Sequence, residues 1–380
     1  MSTPRKKLAI LGSTGVIGKA SLQVADHCSD RIQVTALVAG KQTALLAKQI
    51  QKYGCHYAKA IHNDELKKDL NSTPCNLLNE DELCEFVASS NVDILLCAIV
   101  GTSGLRPVLA ALKAGKTIAL ASKEILVMAG QIVHQYLKQY GGKLLPVDSE
   151  HCAIFQCMDK QEKNEVQKII LTASGGPFHA TPELNFDTVT IEQALKHPTW
   201  TMGPKITFDS ASLMNKGLEM IEARWLFDLQ PAQIEVVIHP QSIVHSMVEF
   251  IDSSILAQLG VPDMKLPIQY CLDYPHRHPS LTPALDFTSS RTLTFTAPDI
   301  QRFPSLRLAR NVMENGGPGG AIFNAANEIA VEKFCKSEIH FSDIFKIVEK
   351  TLERCVDLPG NTLEEIIESD HAARRIAKEL

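Results

Sequence analysis

Lys7-Leu8-Ala9-Ile10-Leu11-Gly12-Ser13-Thr14-Gly15-Val16-Ile17-Gly18 is the stretch on which the fold turns. Lys7–Leu11 reads as a β-strand, and glycines at every third position lead from it toward a helix over Ser21–His27. A missing Cβ serves a tight turn, a close approach of backbone to pyrophosphate, and close helix–strand packing. The helix start adds N–H groups and a positive dipole end suited to phosphates. The spacing departs from the commoner G-x-G-x-x-G, and a glycine turn by itself is weak evidence. The alternating series that it opens gives it weight.

Downstream, short apolar runs alternate with amphipathic stretches through the first 150 or so residues. Strands are expected at Gln33–Val38, Ile94–Ile99, Thr117–Ala121 and Lys143–Val147, with helices at Thr43–Tyr53, Leu105–Ala114 and Val127–Tyr140. Strands that alternate with helices build parallel βαβ units, here a Rossmann-like α/β sheet. Beyond Val147 the texture becomes mixed: strands at Ile169–Thr172, Glu235–His239, His245–Phe250 and Ser254–Ala257, and a helix from about Leu218. From Ser305 onward, helical periodicity returns in four segments. The expected organisation is a dinucleotide-binding domain (1–148), a central α+β domain (149–285) with a lid loop at 197–203, a linker (286–304) and a C-terminal helical domain (305–380).

The chain has 380 residues, 45% apolar and 21% charged, with 38 Lys plus Arg against 43 Asp plus Glu. That is the mixture of a globular protein, and a net charge of -5 with no basic run argues against nucleic acid as a partner. No apolar stretch approaches the ~18–20 residues of a membrane span. Arg5-Lys6-Lys7 before an apolar run resembles a secretory leader, but the run breaks at Gly12 after four residues. Ten scattered cysteines, none three positions apart, suit buried thiols of a reducing compartment. A cytoplasmic protein is expected.

The dinucleotide is selected near the end of the second strand, where NAD binding calls for a carboxylate on the ribose 2′-OH. The chain offers Val38-Ala39-Gly40-Lys41-Gln42, a cation and no acid. A 2′-phosphate would be attracted to Lys41, so NADPH is favoured.

Two further clusters carry chemistry. Asp148-Ser149-Glu150 follows the strand Lys143–Val147 at its C-terminal end, where open α/β sheets place their sites. If the tripeptide is extended, both carboxylates share a face and repel unless a cation sits between them. A hard divalent ion, Mg²⁺ or Mn²⁺, satisfies such oxygens. Glu219 is the candidate third ligand. It lies in Asp209-Ser210-Ala211-Ser212-Leu213-Met214-Asn215-Lys216-Gly217-Leu218-Glu219, where Leu218, Ile221 and Trp225 form the packed stripe and Glu219 projects elsewhere. Lys216 at the positive end of a helix is misplaced for capping and points instead to an anion. Upstream, His197-Pro198-Thr199-Trp200-Thr201-Met202-Gly203 combines an imidazole, a large aromatic and a glycine hinge, which suits either a closing lid or a loop that Trp200 anchors to the core.

Together these segments resemble the 1-deoxy-D-xylulose 5-phosphate reductoisomerase family. The resemblance is carried by Leu11–Gly18, Ala121-Ser122-Lys123-Glu124, Pro146–His151, Ala173–Phe178, His197–Gly203, Asp209–Glu219, His239-Pro240-Gln241-Ser242 and Asn324-Ala325-Ala326-Asn327-Glu328. It implies metal ligation by Asp148, Glu150 and Glu219, with Lys123 and Ser149 contacting substrate beside the metal. It implies sugar phosphate binding by Ser174, His197, Trp200, Ser210, Asn215 and Lys216. Thr14, Gly15, Val16, Ile17, Gly40, Lys41, Gln42, Ser122, Glu124 and Gly203 fall at cofactor positions. The family has Ser at position 16 and Asn at 122, where this chain has Val16 and Ser122. The implied protein is a homodimer of isoprene precursor biosynthesis, using NADPH and a divalent metal.

Overall fold

The computed structural model describes residues 4–380 apart from positions 160, 198, 199, 201, 202 and 290. The chain divides into two units: residues 1–125, 133–152 and 263–283, and residues 126–132, 153–262 and 284–380.

The first unit begins with the quoted stretch. Its elements are β1 (Lys6–Leu11), α1 (Val16–His27), β2 (Ile32–Val38), α2 (Thr43–Tyr53), β3 (Tyr57–Lys59), α3 (Asn63–Leu70) and β4 (Asn76–Leu77). They continue with α4 (Glu80–Ala88), β5 (Ile94–Cys97), α5 (Leu105–Lys113), β6 (Thr117–Leu120), α6 (Lys123–Tyr140), β7 (Lys143–Pro146) and the start of α7 (Ser149–Cys157). The strands form one seven-stranded sheet in the order β4-β3-β2-β1-β5-β6-β7, and every pairing is parallel. Leu8, Ala9, Ile10 and Leu11 are wholly buried, as a strand covered on both faces must be. Each large aliphatic side chain among them contributes about 1.5–3 kcal/mol of burial. The chain order reverses between β1 and β5, so the crevice for a ligand lies at the C-terminal ends of these strands. The glycine turn and Asp148 both follow such ends.

β3, β4, α3 and α4 were absent from the sequence expectation. The two strands are three and two residues long, too short to show alternation. The expected boundary at 148/149 also differs from the observed grouping, because α11 (Lys265–Asp273) returns to the first unit and packs on α1 and beside β6 and β7. Lys6 donates to the carbonyls of Leu272 and Tyr274, tying that return to the sheet.

The second unit holds a four-stranded sheet, β8 (Val166–Ala173), β9 (Ile234–Ile238), β10 (Val244–Phe250) and β11 (Ile255–Leu259), in the order β11-β10-β8-β9. β8 and β9 are parallel, joined through α8 (Ile191–Ala194), α9 (Pro204–Ala211) and α10 (Met214–Phe227). The helices α12 (Ser305–Asn315), α13 (Gly319–Cys335), α14 (Asp343–Arg354) and α15 (Leu363–Glu379) share this unit's apolar core, which includes Phe208, Leu218, Ile221, Phe323 and Phe341. The 286–304 segment is irregular yet attached: Thr296 bridges Ile238, and Phe295 stacks on His239 at 4.6 Å. No helix among the described residues is long and apolar enough to cross a membrane.

Candidate functional site

At the end of β1, Gly12 adopts φ +93°, and a Cβ there would meet the Ala98 carbonyl oxygen at 2.4 Å. At Gly18 a Cβ would stand 2.1 Å from the Gly12 oxygen, so helix and turn can approach only without a side chain. Gly15 differs, since its nearest neighbour for a Cβ is 3.4 Å away. The protein's own packing does not demand glycine at 15; the open face does so only if a ligand approaches the backbone there. Gly15 caps α1 without a side-chain hydrogen bond, leaving the helix start to offer backbone N–H groups. Thr14 is buried, Val16 is exposed, and Ser13 is braced by Gln49 through a reciprocal pair of bonds at 2.8 and 3.0 Å.

Lys41 and Gln42 are exposed just after β2, with Gly40 half-buried between strand and loop. Ser122 caps α6, but its hydroxyl donates to the Ile99 carbonyl at 2.6 Å. Its one proton is therefore committed to the end of the β5 segment, so this position can offer a ligand only lone pairs. Lys123 and Glu124 open α6, both buried.

Asp148-Ser149-Glu150 is not extended. The Cys152 N–H donates to the Asp148 carbonyl at 2.8 Å, so Asp148 stands at the cap of α7 and Glu150 in its first turn. The carboxylates converge because a helix begins there, and its positive end stabilises both. Asp148 and Glu150 each offer an oxygen within 4.8 Å of the other. Lys123 Nζ donates to Asp148 Oδ2 at 2.7 Å, and Ser149 Oγ donates to Glu150 Oε2 at 2.5 Å. His151, fully buried, places Nδ1 3.9 Å from Asp148 Oδ2; sequence reasoning passed over it because a lone histidine carries no spacing signal. Hard carboxylate oxygens crowded this closely are the donor set that Mg²⁺ or Mn²⁺ prefers.

In the second unit, Ser174 follows β8 and its Oγ lies 3.0 Å from His197 Nε2. His197 Nδ1 accepts the Trp200 N–H at 2.8 Å, which makes Nε2 the protonated nitrogen of the neutral ring and the donor to Ser174. Burial lowers the His197 pKa from its ordinary 6.5, favouring that neutral form. Gly176, at φ +66°, leaves no space for a Cβ against the Ser210 carbonyl oxygen 2.6 Å away, so the Ser174 loop seats on the end of α9. Trp200 is half-buried, its ring 6.3 Å from that of His245, an anchored side chain. Of the expected lid loop 197–203, positions 198, 199, 201 and 202 lie outside the described residues; Gly203 caps α9.

α10 is buried nearly all round, its charged face included: Lys216, Glu219 and Glu222 are at most 3% exposed. Asn215 and Lys216 both donate to the Glu219 carboxylate. The misplaced lysine thus has an internal partner, which sequence reading missed: positions i and i+3 meet on a helix. Glu222, another buried acid one turn further on, went unnoticed behind the Leu218–Ile221–Trp225 stripe. His239 proves structural, since Nε2 accepts the N–H groups of Ile243 and Val244 while Nδ1 meets the Thr294 carbonyl. Burial pushes the Cys157 thiol up to about 11, the reverse of what a thiolate nucleophile requires.

Three family models cover the chain: 1-deoxy-D-xylulose 5-phosphate reductoisomerase over 8–130, that enzyme's C-terminal domain over 144–227, and DXP reductoisomerase C-terminal domain over 259–376. The chain belongs to the 1-deoxy-D-xylulose 5-phosphate reductoisomerase family. The reductoisomerase of Bacteroides fragilis is 48% identical across 99% of this chain and 98% of its own. The reductoisomerase from Zymomonas mobilis, solved in complex with NADPH, superposes with a TM-score of 0.92 at 43% identity, covering 99% of each chain. A DOX-P reductoisomerase solved with NADPH, fosmidomycin and magnesium gives 0.91 at 39% identity, covering 98% of each. The expected resemblance and the Rossmann-like α/β class are borne out.

Proposed function

We propose that this reductoisomerase-family chain converts 1-deoxy-D-xylulose 5-phosphate to 2-C-methyl-D-erythritol 4-phosphate, by retro-aldol cleavage and re-addition followed by hydride transfer from NADPH. What carries the reading is the full-length 48% identity to a curated reductoisomerase, with every expected acidic ligand present in this chain. In our reading Asp148, Glu150 and Glu219 ligate one Mg²⁺ or Mn²⁺. When bound, the cation supplies Lewis-acid polarisation of the substrate's carbonyl and hydroxyl oxygens, and NADPH supplies hydride.

The chain's own residues do the rest. Lys123, held against Asp148, balances oxyanion charge developing beside the acids. Ser149 and Glu150 orient the substrate hydroxyls. Ser174, His197, Ser210, Asn215 and Lys216 take the phosphate, whose binding energy orients the remote reacting carbons. Trp200 and Gly203 belong to the lid that excludes water. Thr14 to Ile17 and Gly40 to Gln42 seat the dinucleotide, with Ser122, Glu124 and Gly203 completing its contacts. The protein acts in the cytoplasm as a homodimer in isoprene precursor biosynthesis. NADPH oxidation followed with 1-deoxy-D-xylulose 5-phosphate and Mg²⁺ tests the reading: turnover that stops on chelation and returns with Mn²⁺ is expected, and chelation-resistant turnover would overturn it.

A further inference from the structure

Inside the glycine turn, Ser13 commits each of its polar groups to the protein itself. Its N–H donates to the Val38 carbonyl at 2.9 Å, its hydroxyl donates to Gln49 Oε1 at 2.8 Å, and its carbonyl accepts from Gln49 Nε2 at 3.0 Å. Ser13 is fully buried, and Gln49 on α2 is 8% exposed. Stability alone does not call for such a pair, since two apolar side chains of the same shape serve about as well. What apolar packing cannot do is fix the plane of a peptide.

The Ser13–Thr14 peptide is trans, so its C=O and its N–H point in opposite directions. Gln49 holds the Ser13 carbonyl inward, and the Thr14 N–H is thereby turned the other way. Among the described residues no backbone carbonyl accepts that N–H. The next residue is Gly15, whose backbone no neighbour crowds. With Gly12 at φ +93° on its other side, the turn has few side chains of its own to stop this plane from rotating. Gln49 supplies the restraint from outside the turn, and it does so from α2, the helix that opens directly after Gly40-Lys41-Gln42.

We infer that Gln49 is a positioning residue for NADPH: by holding the Ser13 carbonyl it presents the Thr14 N–H to the pyrophosphate. The inference rests on the functional reading above, in which Thr14 to Ile17 seat the dinucleotide.

The test uses the full-length enzyme and two dissociation constants, that of NADPH from its fluorescence and that of adenosine 2′-phosphate, which has no pyrophosphate, from calorimetry. Gln49→Met keeps length and helix propensity while removing both bonds. It is expected to raise the NADPH constant about tenfold, the scale of a hydrogen bond, and KM for NADPH with it. Both kcat and KM for the sugar phosphate should move less. The constant for adenosine 2′-phosphate should change less than about twofold. Ser13→Ala removes the hydroxyl but keeps the carbonyl bond, so it should weaken NADPH less than Gln49→Met does. An unchanged NADPH constant in Gln49→Met would overturn the inference. So would equal weakening of both ligands, the mark of a loosened α2, or a Ser13→Ala effect as large as that of Gln49→Met. Where Gln49→Met folds poorly, its combination with Ser13→Ala strands no hydroxyl and carries the same test. Wild-type enzyme that fails to bind NADPH would instead contradict the functional reading.

Discussion

His197 Nε2 and Ser174 Oγ stand 3.0 Å apart, and the ring's other nitrogen is occupied by the Trp200 N–H. The imidazole is thereby held neutral, with one tautomer, at the loop proposed to receive phosphate. Burial lowers its pKa below 6.5. For such a group the unfolded chain takes up a proton first as pH falls. The contribution to stability is complete above about pH 6.5 and declines through the acidic window down to the lowered native value. KM for the sugar phosphate should rise only as pH falls through the lowered native value, because protonated Nδ1 can no longer accept from Trp200. His197→Gln should flatten this limb of the pH profile.

Glu150→Gln should keep the fold and NADPH binding while losing metal-dependent turnover, on the order of 100-fold or more in kcat/KM. Circular dichroism and NADPH titration establish the first half, and initial rates with Mg²⁺ the second. Activity near wild type would remove Glu150 from the ligand set.

Lys216→Met should have two effects. It removes a phosphate contact, raising KM, and it leaves the buried Glu219 carboxylate without its ammonium partner. Breaking a buried pair costs about 3–5 kcal/mol. A divalent cation on Glu219 would replace the missing charge, so the rise in Tm on adding Mg²⁺ should be larger in the variant than in wild type. Equal rises would separate Glu219 from the metal.

The glycine turn offers a contrast within three residues. Gly18→Ala places a Cβ 2.1 Å from the Gly12 oxygen and should destabilise the first unit, lowering Tm by several degrees. Gly15→Ala meets nothing closer than 3.4 Å and should leave Tm nearly unchanged while weakening NADPH binding about tenfold. Loss of Tm in both, or in neither, would refute the division of labour.

The parallel sheet was legible because β1, β2, β5, β6 and β7 are buried apolar runs with clear breaks. β3 and β4 were not, being two- and three-residue strands whose place is set by pairing with β2 and with each other. The acids were legible by position, at a strand end and near a helix start. Their geometry was not, since a helix beginning at Ser149 replaces the expected extended tripeptide. Glu222 and His151 stayed hidden because burial of a titratable group leaves no periodic mark. The path of α11 back to the first unit reflects tertiary packing on α1 that no local pattern announces.

The most direct measurement is Mn²⁺ binding to wild type and to Asp148→Asn, Glu150→Gln and Glu219→Gln, by calorimetry or electron paramagnetic resonance. The expected result is one site per chain in wild type, weakened at least about tenfold by each single change, since each removes one anionic ligand. Undiminished Mn²⁺ affinity in Glu219→Gln would contradict the assignment of these three carboxylates to a single ion.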